Sequence, residues 1–206
     1  MIVRIIALVA CLVGSAAAAR PFAARDLATI ERVSDPRLSP DAKTVAINVR
    51  STEYEQNRGV NALRLIDRAT GRTMTVVSGE KAATSPRWAS DGRLYFLSGK
   101  SGTQQLWTRG PQGNVAQVTA FPVDVGAFRL APDARSAVVV IDVRPECDTL
   151  ACTRTAEDAK AKIKATGVLV PDSRPSRFWD AYDDGRSTGL FRIALGNDGA
   201  PVAPAN

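Results

Sequence analysis

One seven-residue pattern occurs three times along the chain. Arg37-Leu38-Ser39-Pro40-Asp41-Ala42-Lys43 is echoed by Arg87-Trp88-Ala89-Ser90-Asp91-Gly92-Arg93 and by Arg129-Leu130-Ala131-Pro132-Asp133-Ala134-Arg135, with the aspartates 50 and then 42 residues apart. A period of this length marks a repeated supersecondary unit that buries its apolar face against its neighbours. Each copy runs into a stretch rich in Val, Ile, Tyr, Phe and Leu: Thr44 to Val49, Leu94 to Ser98, and Ser136 to Val143. These are the residue types strands favour, and the Asp-Ala or Asp-Gly step before each run sets a tight turn between an incoming strand and the next.

Each unit continues in the same way. In the first, a strand over Ala62 to Asp67 leads through Arg68-Ala69-Thr70-Gly71 to Thr73 to Ser78; in the second, Gln105 to Arg109 leads through Gly110-Pro111-Gln112-Gly113 to Val115 to Thr119. Four short antiparallel strands per unit, every 40 to 50 residues, is the blade pattern of a β-propeller. The expected fold class is therefore all-β, an incomplete β-propeller of about three four-stranded blades. A β-sandwich also alternates strands, but it does not require one turn signature to recur at one place in every unit.

The third unit is interrupted. Its next strand, Gly189 to Leu195, arrives only after an insert of about 144–180. The insert carries Cys147 and Cys152, then Thr155-Ala156-Glu157-Asp158-Ala159-Lys160-Ala161-Lys162-Ile163-Lys164. A capping threonine, early acids and late lysines predict a short helix there, starting at Thr155.

Residues 1–19 combine Arg4, an apolar run from Ile5 to Val13, and a small-residue tail ending at Ala19. That order is a secretory signal peptide, cut after Ala19, leaving 20–206 as propeller. Leu8-Val9-Ala10-Cys11 resembles a lipoprotein cleavage box, but the ordinary proportions of a signal favour Ala19 over lipid anchoring at Cys11. No later stretch is long and apolar enough to span a membrane. The expected location is periplasmic or secreted. In an oxidising compartment the remaining Cys147 and Cys152 read as a disulfide; two thiols without histidine do not complete a zinc site.

The chain contains no histidine, which removes the usual general base of a Ser/His/Asp or Cys/His site. Ser39, Ser90 and Ser101 therefore have no base to activate them, and no catalytic residue, cofactor or metal is expected. Lys and Arg exceed Asp and Glu by 27 to 21, but they are scattered singly, without a basic run or aromatic interleaving, so nucleic acid is not an expected partner. Gly99-Lys100-Ser101-Gly102 lacks the spacing of a phosphate loop and falls in a hairpin. Asp41, Asp91 and Asp133 share a repeat position and should share a structural role, bonding the hairpin backbone.

Asp26-Leu27 leading into Val33-Ser34-Asp35-Pro36-Arg37-Leu38-Ser39-Pro40-Asp41, together with Arg177-Phe178-Trp179-Asp180-Ala181-Tyr182-Asp183-Asp184-Gly185-Arg186 and Leu190-Phe191, resembles the prolyl oligopeptidase family. The similarity is to its dipeptidyl-peptidase and acylaminoacyl-peptidase branch, and the Cys147–Cys152 pair looks like that of exported bacterial members. The resemblance implies a serine peptidase in two parts, a propeller that filters access and an α/β-hydrolase domain with the Ser, Asp and His. This chain matches only the N-terminal propeller portion, and no Gly-x-Ser-x-Gly elbow is expected in it. Peptide substrate and the hydrolase domain are the implied partners of the propeller. Trp179, Asp180 and Asp183 are the candidate substrate contacts, as acids beside aromatics can recognise a peptide amino group. Turn composition and a core tryptophan account for the same residues structurally. A non-catalytic periplasmic binding module that engages a protein by strand addition is the alternative to a peptidase.

Overall fold

The computed structural model describes residues 20–79, 83–162, 177–178, 181–182 and 184–196. A short helix α1 (Ala24–Thr29) precedes β1 (Arg32–Leu38), β2 (Thr44–Glu53), β3 (Arg58–Asp67) and β4 (Thr73–Gly79), which form one antiparallel sheet in sequential order. The second sheet repeats this order with β5 (Thr84–Trp88), β6 (Leu94–Ser98), β7 (Gln105–Arg109) and β8 (Val115–Gln117). In the third, β10 (Ser136–Val143) lies between β9 (Ala127–Leu130) and β13 (Ser187–Ala194). These are successive blades of a β-propeller. The third blade shows three strands rather than four among the described residues.

The repeated heptapeptide builds the same turn each time. The Asp41 carboxylate accepts a hydrogen bond from Lys43 N at 3.1 Å, Asp91 from Arg93 N at 3.0 Å, and Asp133 from Arg135 N at 3.0 Å. The residue after each aspartate has positive φ: Ala42 57°, Gly92 83° and Ala134 56°. A short carboxylate that bonds two residues ahead fixes this turn, and glycine suits its left-handed position best.

Side-chain alternation in the second blade divides the core between its two neighbours. Every residue of β6 is buried. Leu94 and Phe96 pack with Ala46, Leu63 and Leu65 of the first blade, whereas Tyr95 and Leu97 pack with Phe128, Val139 and Ile141 of the third. Successive strand residues point to opposite faces, so a strand with a blade on each side is apolar throughout. Fully burying a Leu or Phe contributes roughly 1.5–3 kcal/mol, and β6 does so on both faces.

Gln105 organises the link from the second blade to the third. Fully buried, it accepts hydrogen bonds from the Thr119 hydroxyl at 2.8 Å and Phe121 N at 3.0 Å, and its amide reaches Phe121 O and Val123 O at 3.0 Å. The Thr119 hydroxyl in turn accepts from Leu106 N at 3.0 Å. A side chain thus replaces the main-chain acceptor, and β8 stops at Gln117 although the β-rich run continues to Thr119.

The insert between β10 and β13 holds helix α2 (Leu150–Lys162) and a small ribbon of β11 (Arg177–Phe178) with β12 (Ala181–Tyr182). The helix begins five residues before the Thr155 start read from the sequence. Thr149 is the cap: its hydroxyl accepts from Cys152 N at 3.1 Å, whereas Thr155 sits inside the helix and donates to Ala151 O at 3.0 Å. Both threonines offer an N-cap hydroxyl, and the turn closed by Cys147 and Cys152 selects the earlier one. No helix among the described residues is long and apolar enough to cross a membrane.

Candidate functional site

The insert is attached through Arg144, the first residue beyond β10. Its Nε donates to the Glu157 carboxylate of α2 at 2.7 Å, and its NH1 donates to Asp184 O, just before β13, at 2.7 Å. Its backbone N–H reaches the Thr153 hydroxyl at 3.2 Å, and Thr153 is the buried residue of the helix. One guanidinium thus joins the helix to the returning strand with charge-assisted bonds. Cys147 and Cys152 face each other across the turn into α2 with their Cα atoms 5.5 Å apart and their sulfurs at bonding distance.

Beneath α2, between the second and third blades, lies a cavity of about 390 Å³ lined by Gln104, Asp124, Asp142, Thr153, Glu157 and Arg186. Its acids already have partners. Asp124 accepts from Gln104 N at 2.7 Å, Asp142 from the Thr188 hydroxyl at 3.0 Å, and Glu157 from Arg144. At the rim, partial burial acts to raise the Asp184 carboxyl, but the Arg186 backbone N–H and guanidinium outweigh it and hold it below its ordinary range. Among the described residues, the carboxylates that line the cavity serve as hydrogen-bond acceptors that fix the loop.

A larger groove of about 750 Å³ separates the first two blades at the hairpin end, where Asp41, Asp67 and Asp91 line it. Asp41 and Asp91 serve the turns described above, and Asp67 accepts from Thr70 N at 2.8 Å. The equivalent repeat aspartates are therefore structural, as their spacing implies.

The Gly-x-Ser-x-Gly spacing does occur once, at Gly185-Arg186-Ser187-Thr188-Gly189, which corrects the expectation that it is absent. It is not a nucleophile elbow. Ser187 opens β13 opposite Val143, the residues after it continue as strand rather than helix, and the chain has no histidine to act as base. Gly99 to Gly102 is a β6–β7 turn closed by Gly102 N to Gly99 O at 3.0 Å, as read from its spacing. The candidate substrate contacts Trp179, Asp180 and Asp183 lie outside the described residues. Arg144, Thr153 and Gln105 were missed by sequence reasoning. The only signal for Arg144 was its place directly after a strand, at the start of the insert.

No family model matches the chain. Among curated proteins it is 27% identical over 148 residues to an uncharacterised peptidase, YuxL, of Bacillus subtilis (strain 168), covering 70% of this chain and 22% of that one. It is 24% identical over 156 residues to dipeptidyl-peptidase 5 of Porphyromonas gingivalis, covering 75% of this chain and 22% of the relative. Among solved structures, Pyrococcus horikoshii acylaminoacyl peptidase superposes with a TM-score of 0.56 at 19% identity, over 83% of this chain and 24% of that one. The chain thus spans about a fifth of the length of the curated relatives it matches. The antiparallel blades, their repeated Asp turns and these two peptidase relatives together make the chain similar to the N-terminal propeller portion of prolyl oligopeptidase-family peptidases.

Proposed function

We propose that these residues are the access-filtering propeller of an exported serine exo- or oligopeptidase of dipeptidyl or acylaminoacyl type, whose catalytic Ser, Asp and His belong to a hydrolase domain outside this sequence. The observation that carries the reading is the match of 70% and 75% of the chain to two peptidases. The signal-like residues 1–19 support export, and an oxidised Cys147–Cys152 pair fits that compartment. In this reading the blades and the insert restrict which peptides reach the hydrolase, and Trp179, Asp180 and Asp183 contact the substrate. The test is hydrolysis of dipeptidyl and acylaminoacyl reporters by purified residues 20–206. No turnover is expected, because the groups that activate a serine are missing. Turnover that co-purifies with the chain and disappears on its immunodepletion overturns the reading.

A further inference from the structure

The helix of the insert is held in place by few contacts. Of its 13 residues, Thr153 is buried, and Leu150 packs against the core shared by the second and third blades. The lysines and alanines of the rest are exposed or half-buried. An isolated helix of this length is marginal in water, so its position depends on tethers. Two are present. One is Arg144, bonded to Glu157 and to Asp184 O at 2.7 Å each. The other is the sulfur pair, which encloses the capping residue: Cys147 N donates to Arg144 O at 2.9 Å, and Cys152 N donates to the Thr149 hydroxyl at 3.1 Å. The sulfur tether therefore closes a turn that both starts the helix and aims the Arg144 backbone at Thr153.

The two cysteines differ in access. Cys147 is half-buried and Cys152 is exposed at the first turn of the helix. Cys152 is therefore the more accessible residue of the pair for an incoming thiolate.

We propose that Cys147–Cys152 is a reducible latch: oxidised, it holds α2 over the cavity lined by Gln104, Asp124 and Asp142, and reduced by a dithiol, it releases the helix and opens that cavity. The inference rests on the proposed reading that the pair is oxidised in an exported protein. The reaction is ordinary exchange. A dithiol thiolate attacks the Cys152 sulfur and expels the Cys147 thiolate. The second thiolate of the reagent then displaces Cys152 and closes the reagent's own disulfide. Two electrons pass to the protein, and the two reagent protons end on Cys147 and Cys152. Because α2 meets the blade core through Leu150, and only at its edge, the change is centred on the insert.

Hydrogen exchange of the full chain, with thiol alkylation to count free cysteines, tests the latch before and after dithiothreitol. Protection over 150–162 is expected to fall on the order of 30-fold on reduction, the loop-closure effect for ends five residues apart, while β6 and β7 keep theirs. The double variant Cys147→Ser with Cys152→Ser is expected to match the reduced state without reagent, and Arg144→Gln to loosen α2 with the disulfide intact. Unchanged protection of 150–162 after complete alkylation of both cysteines overturns the latch, as does an equal fall in β6 and β7, which makes the bond a staple for the whole fold. Two free thiols before any reductant instead overturn the oxidised, exported reading on which the latch rests.

Discussion

The Asp35 carboxylate accepts a hydrogen bond from the Arg87 guanidinium at 2.7 Å, joining the first strand of the first blade to that of the second. The same carboxylate holds Arg37 at 2.6 Å, so two arginines at equivalent repeat positions share one acid. Trp88 supports this seam by donating its indole N–H to Arg37 O at 3.0 Å. Asp35 has φ 49° at a bulge in β1, a conformation that Asn also tolerates, so Asp35→Asn removes the charge without adding backbone strain. A double-mutant cycle of Asp35→Asn with Arg87→Gln is expected to give a coupling of about 1 kcal/mol in urea unfolding, since both side chains are partly solvated. Additive losses contradict the seam.

The repeated turns make a comparison at one backbone position. A Cβ added at Gly92 meets nothing within 4 Å, so Gly92→Ala isolates the cost of a left-handed alanine, about 1 kcal/mol of stability. The reverse change, Ala42→Gly, is expected to be neutral or stabilising. Ala134→Gly gives no such gain, because the Ala134 methyl is buried in the core between the second and third blades. Urea midpoints of the three variants check the order; a stabilised Gly92→Ala contradicts it.

The N-terminal segment is fastened to the first blade by a pH-sensitive bond. The Glu31 carboxylate takes two hydrogen bonds from the Arg64 guanidinium, at 2.7 and 2.8 Å, which hold its carboxyl below the ordinary range against the opposing effect of burial. An acid with a lowered folded pKa stabilises fully above its unfolded value of about 4.3, and the gain is lost as pH falls through the folded value. The stability difference between the wild type and Glu31→Gln is therefore expected to be constant above about pH 5.5 and to shrink on acidification below about pH 4.3. A difference that stays constant as the pH falls below about 4.3 contradicts the pairing.

Gln105→Leu tests the link between the second and third blades. The substitution leaves the Phe121 N–H and the Phe121 and Val123 carbonyls without this partner in a buried setting, at a cost of about 3 kcal/mol. Thermal unfolding should show a lower Tm, and exchange should quicken over 118–125 first. A loss below about 0.5 kcal/mol, the scale of an ordinary surface substitution, contradicts its organising role.

Local features of the fold were legible in the sequence. The Asp turns were, because a short carboxylate, a left-handed residue and a following β run all act within a few residues, and β6, β7 and β10 have the bounds read from their composition. What escaped depends on partners far along the chain. Asp35 has no assigned role until Arg87 is placed beside it, and Gln105 reads as a polar strand residue until the 118–125 link folds over it. In the insert, Thr149 and Thr155 carry the same capping signal, and only the position of Arg144 and the cysteines separates them. The Ser187 spacing shows the converse, a familiar string whose strand context gives it no catalytic meaning.

The central claim, that these blades belong to a larger peptidase, is tested most directly by the intact mass of the native product, detected with antibodies to residues 21–206. A species of roughly 70 kDa, a propeller plus a hydrolase domain of ordinary size, is the expected result. A stable native species near 20 kDa, the size of the signal-cleaved chain alone at an ordinary residue weight, contradicts it.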